Sequence, residues 1–103
     1  MTGSPELLEF YLVEATEYLD ALDQLVAGTG GTPDGNAFIA TARALRGASS
    51  MAKVDPLEKI ASAMEQIAHA VRDGELRWTV DLYRVLRVTV DDLRFLVRGV
   101  RTW

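Results

Sequence analysis

The chain has 103 residues, 49% of them apolar and 25% charged, with a formal net charge of −4. This length fits one domain, and the absence of cysteine excludes disulfides, thiolate catalysis and cysteine-ligated metals, which suits the cytoplasmic location that we predict. The acidic charge disfavours nucleic acid as a partner, and no apolar run approaches the roughly 20 residues that cross a bilayer. Residues 1–6 have neither the basic nor the apolar region of a signal peptide.

The first helix is predicted by apolar residues that recur four and three positions apart. Ser4 is the expected N-cap, and Pro5 suits the first helical position. The predicted buried residues are Leu8, Leu12, Ala15, Leu19, Leu22 and Val26. The glycine-rich run at residues 28–35 ends this helix. It is not a phosphate-binding loop, because no Gly-Lys-Ser/Thr follows it and no strand precedes it.

Two further helices follow the loop. The second begins near Asn36 and ends around Lys53. Its predicted buried residues are Phe38, Ala42, Leu45 and either Ser49 or Ala52. The third is opened by Asp55 as the N-cap, with Pro56 at the first helical position and Glu58 at the third. Its predicted buried residues are Ile60, Ala63 or Met64, Ile67 and Val71.

The third helix stops at Asp73–Gly74, and a fourth starts at about Thr79, an acceptable N-cap. Its predicted buried residues are Leu82, Leu86, Thr89 or Val90, Leu93, Leu96 or Val97, and Val100. Short connections between the last three helices imply antiparallel neighbours, so we predict an all-α, antiparallel four-helix bundle. Residues 1–103 form this single domain. We expect it to belong to a longer protein, because the sequence stops at Trp103 directly after an amphipathic segment.

The second helix is predicted to have a basic face on which some of the side chains are small or absent. Residues 36–53 carry three bases and no acid, whereas the first helix carries six acids and no base. The residues that share one outward face at helical spacing are Arg43, Arg46, Gly47 and Ser50. A glycine within a helix costs about 1 kcal/mol relative to alanine, so something favours the absence of a side chain at Gly47. Either a partner docks here, or Gly47 lets a neighbouring helix pack closely and the arginines are solvated.

The segment Thr41–Ser50 resembles the phospho-acceptor helix of histidine-containing phosphotransfer (HPt) domains, whose motif is His-x-Leu-Lys-Gly-small-small. Leu45 and Gly47 match this motif. Arg46 takes the place of the lysine, and Arg43 stands where the histidine should be. Further segments that resemble HPt domains of the chemotaxis-kinase type are residues 8–19, residues 60–67 and the exit Arg72-Asp73-Gly74. The resemblance implies a four-helix bundle that docks on a receiver domain or a histidine kinase in two-component signalling.

Arg43 cannot act as a phospho-acceptor. Its guanidinium stays protonated and has no free lone pair, whereas an imidazole, with a pKa of about 6.5, does have one. The resemblance implies that Gly47 lets a receiver domain approach the helix closely and that Arg46 steadies a phosphoryl group. The domain would then keep the docking helix of the family but lose the ability to accept a phosphoryl group. Arg43 is a relic, an engineered replacement, or a fixed charge that enters the acidic pocket of a receiver domain. We favour the last interpretation.

The one histidine in the sequence is His69, on the third helix. It is expected to be a solvated surface residue. The alternatives are a relocated phospho-acceptor, which would make this an active phosphotransfer domain, and a metal ligand, although no second histidine or cysteine could join it. No set of nucleophile, base and acid for hydrolysis is visible. We therefore predict a non-enzymatic module without a cofactor, a metal or a small-molecule substrate.

A purely structural bundle, which dimerises or spaces neighbouring domains, is a third interpretation and predicts an exposed apolar patch away from the second helix. The arginines of the last helical segment are Arg84, Arg87, Arg94, Arg98 and Arg101. They are expected to face solvent or to pair with the acidic first helix rather than to bind nucleic acid. Trp78 is expected to pack at the end of the bundle, whereas the role of Trp103 stays open.

Overall fold

The computed structural model describes residues 5–27 and 31–102, apart from the side chain of Arg101. The elements, in chain order, are α1 (Pro5–Val26), α2 (Gly35–Met51), α3 (Asp55–Arg72), α4 (Val80–Gly99) and one 3₁₀ turn (Val100–Thr102). The part of the chain described contains no strand, and the four helices form an antiparallel bundle, which confirms the predicted fold class. Ser4, residues 28–30 of the predicted loop and Trp103 lie outside the described residues.

Capping side chains start two of the helices. Asp34 Oδ1 accepts hydrogen bonds from the amides of Asn36 and Ala37, at 3.0 and 3.2 Å. Thr79 Oγ1 accepts a hydrogen bond from the amide of Leu82 at 3.1 Å. These bonds satisfy amides that have no partner within the first turn of a helix. The prediction that Thr79 is an N-cap is therefore confirmed.

The start of α3 differs from the prediction by one residue. Val54 is the N-cap and makes no side-chain capping bond, whereas Asp55 is already helical, so the predicted cap at Asp55 is wrong. The cause is the preceding turn, in which Lys53 has a φ of 60° and the chain reverses before Val54, which is buried. Asp55 still lies in the first turn of α3, where a negative charge interacts favourably with the helix dipole.

The core runs along the axis of the bundle, and most of its residues follow the predicted spacing. The buried residues of α1, α2 and α4 are Tyr11, Ala15, Leu19, Leu22, Val26, Phe38, Ile39, Ala42, Leu45, Ser49, Leu86, Val90, Leu93 and Val97. Leu8, Leu12 and Leu82, which were predicted to be buried, are only partly buried at the edge of the core. Trp78 also packs against the core, as expected.

The buried face of α3 is rotated relative to the prediction. Its buried residues are Leu57, Ala61, Met64, Ala68 and Val71. Met64 and Val71 were predicted correctly, but Ile60 and Ile67 are only partly buried and Ala63 is exposed. The short side chains of Ala61 and Ala68 let a neighbouring helix approach closely, which favours this orientation. The approach is also close where α2 begins, because a Cβ on Gly35 would lie 2.7 Å from Arg72 Cβ.

A buried hydrogen bond joins α1 to α2. Tyr11 Oη and Ser49 Oγ lie 2.9 Å apart, and both side chains are almost completely buried. Burial raises the pKa of the Tyr11 phenol, so it stays protonated at neutral pH. We expect Tyr11→Phe to lower the free energy of unfolding by about 1 to 3 kcal/mol, because the Ser49 hydroxyl would remain buried without its partner.

Denaturant unfolding of Tyr11→Phe, Ser49→Ala and the double variant measures this coupling. The double variant should lose less stability than the sum of the two single variants, because removing both hydroxyls leaves neither without a partner. Strictly additive losses would contradict the coupling.

Candidate functional site

The outer side of α2 carries the four residues that the sequence predicts for the site. Ala42, Leu45 and Ser49 are fully buried, so the positions that follow each of them in the sequence are turned toward the surface. The residues of this surface, called the α2 face below, are Arg43, Arg46, Gly47 and Ser50. The side chain of Arg43 is 55% exposed and that of Arg46 is 38% exposed.

Glu65 of α3 holds both arginines of the α2 face. Its Oε2 accepts a hydrogen bond from Arg43 Nε at 3.1 Å, and its Oε1 accepts one from Arg46 Nε at 2.8 Å. The glutamate side chain is only 13% exposed. The hydrogen bond from Arg46, with a further one from Arg43, outweighs the effect of burial and lowers the pKa of the Glu65 carboxyl. The three side chains therefore form an ionised cluster at neutral pH.

Glu65 is absent from the site residues that the sequence predicts. It belongs to residues 60–67, which resemble the third HPt helix. The apolar pattern of that segment does not show which way the Glu65 carboxylate points. One signal was available, because the second helix carries bases without acids and Glu65 is the one acid between residues 59 and 72. An acid in the middle of the neighbouring helix is the natural counter-ion for those bases.

Both arginines leave their outer nitrogens available. Each uses Nε for Glu65, and the Nη atoms of Arg43 and Arg46 have no hydrogen-bond partner among the described residues. Each guanidinium therefore presents unused N–H donors beyond its contact with the carboxylate. The cluster holds two positive charges and one negative charge, so it attracts anions.

Gly47 leaves open space beside this cluster. A Cβ placed on Gly47 would meet no described atom within 4 Å outside the surrounding turns of its own helix. The alternative that Gly47 accommodates a closely packed neighbouring helix is therefore wrong for the part of the chain that the structure describes. The glycine instead gives the α2 face a flat surface one turn after Arg43.

His69 lies closer to the site than the sequence suggests. Its side chain is 37% exposed, and its Nε2 lies 3.5 Å from Glu65 Oε2, one helical turn away on α3. It is a partly exposed surface residue that borders the cluster formed by Glu65 and the α2 face. No group of three potential metal ligands occurs among the described residues, so His69 has no such set to join.

Two arginines of α4 pair with acids of α1 and two, Arg84 and Arg98, are exposed, in line with the prediction. Arg94 Nη1 lies 2.8 Å from Asp20 Oδ1, and Arg94 Nη2 lies 3.5 Å from Asp23 Oδ2. Arg87 also donates a hydrogen bond to Asp23. These ion pairs neutralise part of the basic surface that nucleic acid would need. None of the described helices has the length and apolar character that crossing a membrane requires.

Comparison with known proteins agrees with the geometry of the bundle. The family model described as Hpt domain matches residues 6–95 of this chain. The sensor histidine kinase CheAY of Helicobacter pylori (strain ATCC 700392 / 26695) is 27% identical over 105 aligned positions, which cover 98% of this chain and 13% of that protein. No solved structure gives a significant match. Hpt domains are phosphotransfer modules of two-component phosphorelays, where they interact with histidine kinases and receiver domains. This four-helix bundle belongs to the Hpt domain family.

Proposed function

We propose that this Hpt domain takes no phosphoryl group and acts as a docking or regulatory module, which binds a receiver domain or a histidine kinase through the α2 face. The observation that carries the proposal is the open space at Gly47. A glycine within a helix costs about 1 kcal/mol relative to alanine, and here no described neighbour requires it. Its use therefore lies outside the bundle, where a partner can approach the helix closely.

Arg43 supports docking without phosphoryl transfer. Its guanidinium offers only donors and stays charged, so it cannot attack phosphorus. Glu65 holds this charge at a defined position, which favours encounter and orientation with an acidic partner surface. A domain that docks on a receiver without accepting its phosphoryl group would compete with active Hpt domains for that receiver.

An active domain that uses His69 is a second candidate, because His69 borders the ionised cluster. Its Nε2, however, faces the Glu65 carboxylate at 3.5 Å instead of pointing away from the protein. The ring nitrogen turned away from the carboxylate is then Nδ1, which is nearer the α3 backbone and is harder for a partner's phosphoryl group to reach. We therefore favour the inactive domain.

A structural, dimerising bundle is the third candidate, and α4 carries an exposed stripe away from the α2 face. Its exposed residues, at helical spacing, are Asp81, Val85, Val88, Asp92 and Phe95. The two carboxylates lie within the stripe and would lose water if two copies paired there. This cost makes the stripe a poor dimer seam, and we favour docking through the α2 face.

Other expectations extend the same proposal. The chain spans 13% of the length of the kinase that it matches, so we propose that residues 1–103 are one domain of a longer signalling protein. A cytoplasmic location stays a prediction. It also stays a prediction that the domain binds no nucleic acid, membrane, cofactor, metal or small-molecule substrate. The domain is proposed to be non-enzymatic.

Binding measurements on charge variants test this function. We expect Arg43→Ala to weaken binding to a cognate receiver domain or kinase about tenfold or more, because it removes the more exposed of the two positive charges of the α2 face. Arg84→Ala is the matched control, since Arg84 is an exposed arginine on α4 and its loss changes the net charge equally. The control should bind within about twofold of the parent chain.

Isothermal titration against the receiver domains and histidine kinases of the source organism gives these affinities. Equal losses in Arg43→Ala and Arg84→Ala would show that only net charge matters. The absence of binding to any receiver or kinase would overturn the proposed function.

A further inference from the structure

The two arginines of the α2 face are arranged as a pair of oriented donors. A single carboxylate, Glu65, accepts from Nε of both Arg43 and Arg46, so the two guanidinium groups are held side by side. Their Nη groups have no partner among the described residues and extend beyond the carboxylate. Solvated arginines would sample many rotamers, whereas this pair is ordered before any ligand arrives, which lowers the entropic cost of binding.

We propose that Arg43 and Arg46 form a non-covalent binding site for a phosphoryl group that the partner carries. This inference rests on the proposed function and specifies that the domain selects the phosphorylated form of its partner. A guanidinium matches two phosphate oxygens through parallel N–H donors. Because Arg43 has no lone pair to offer, the bond that joins the phosphoryl group to the partner stays intact and the phosphoryl group remains where it was.

The phosphoryl group fits this site better than a carboxylate does. It carries a charge of about −2 and has three acceptor oxygens, so it can engage both guanidinium groups at once. A carboxylate has two oxygens and a single negative charge, so it offers the two arginines fewer acceptors and a weaker attraction. The net charge of the cluster is that of two arginines less one glutamate, so a dianion gains more from it than a monoanion.

The surroundings leave room for such a group. Gly47 provides open space one turn after Arg43, and the exposed Ser50 hydroxyl lies one turn after Arg46. The phosphoryl group would therefore lie over the α2 face without meeting a side chain at position 47. The domain would then bind the phosphorylated partner in preference to the unphosphorylated one.

The first experiment needs only the chain itself. Inorganic phosphate is titrated into the labelled protein at constant ionic strength, and the Nε–Hε resonances of the arginines are followed by NMR. We expect saturable shifts of Arg43 and Arg46, with none at Arg84, and a parallel titration with chloride should cause no saturable shift. Arg43→Lys keeps the charge but removes the planar pair of N–H donors of the guanidinium, so it should lose the saturable response. A parent chain that shows no saturable response overturns the site.

The second experiment uses a receiver domain that binds the chain, with and without beryllofluoride, an analogue of the phosphoryl group on aspartate. We expect binding about tenfold tighter or more with beryllofluoride, and Arg43→Lys should remove most of this preference. Arg84→Lys is the matched control and should keep it. Equal affinity in both states overturns the inference and leaves the proposed function standing. Binding in neither state overturns both.

Discussion

Replacing Arg43 with histidine is expected to convert a chain that takes no phosphoryl group into one that does. The substitution supplies an imidazole with a lone pair at neutral pH. The Glu65 carboxylate lies 3.1 Å from Arg43 Nε, so it is placed to accept an N–H of the new ring. That hydrogen bond would leave the other nitrogen unprotonated and free to attack phosphorus. The bundle should remain folded, because Arg46 still donates its hydrogen bond to Glu65 and keeps that carboxylate paired.

The measurement compares the parent chain, Arg43→His and His69→Gln after incubation with phosphorylated receiver domains and histidine kinases of the source organism. Acid-labile phosphate is scored by intact mass. Label on Arg43→His with none on the parent would establish a phosphotransfer scaffold that lacks its acceptor. Label on the parent that disappears in His69→Gln would instead make this a working relay domain with a displaced histidine, contrary to the proposal.

Replacing Gly47 with leucine is expected to stabilise the fold and abolish docking. Leucine favours the helix by roughly 1 kcal/mol over glycine, and a Cβ at this position meets nothing within 4 Å. The melting temperature should therefore rise by several degrees, roughly 4 to 8 °C per kcal/mol for a domain of this size. The same side chain would stand on the flat part of the α2 face and keep a partner helix away, so affinity should fall about tenfold or more.

Gly47→Ala is the matched control for size. It should give a similar gain in stability, because alanine is the best helix former, while its single methyl group obstructs a partner far less. Thermal unfolding and isothermal titration of both variants separate the two effects. Unchanged affinity in Gly47→Leu would show that the partner does not touch α2 at this point, and a loss of stability in Gly47→Ala would contradict the open space.

Much of the fold could be predicted from the sequence because its helical signals are local. Thr79 caps α4, and α2 buries Phe38, Ala42 and Leu45, as the spacing of apolar residues requires. The basic face of α2 follows from the same spacing, since fixing one side of a helix in the core leaves the other side outside. The predicted cap at Asp55 failed because the backbone at Lys53 adopts a left-handed conformation that its residue type does not signal.

Which side chains meet at the site was determined by the packing of the helices against one another. The sequence by itself determined four amphipathic helices, an arginine where the family's motif has histidine, and a glycine beside it, because each depends on residue type and spacing along one helix. It favoured the large isoleucines of α3 for the core, whereas close packing buries Ala61 and Ala68 instead. Glu65 lies one turn from each alanine, so that rotation brings its carboxylate against Arg43 and Arg46. Contacts between helices depend on how closely two whole surfaces fit, which no single helix encodes.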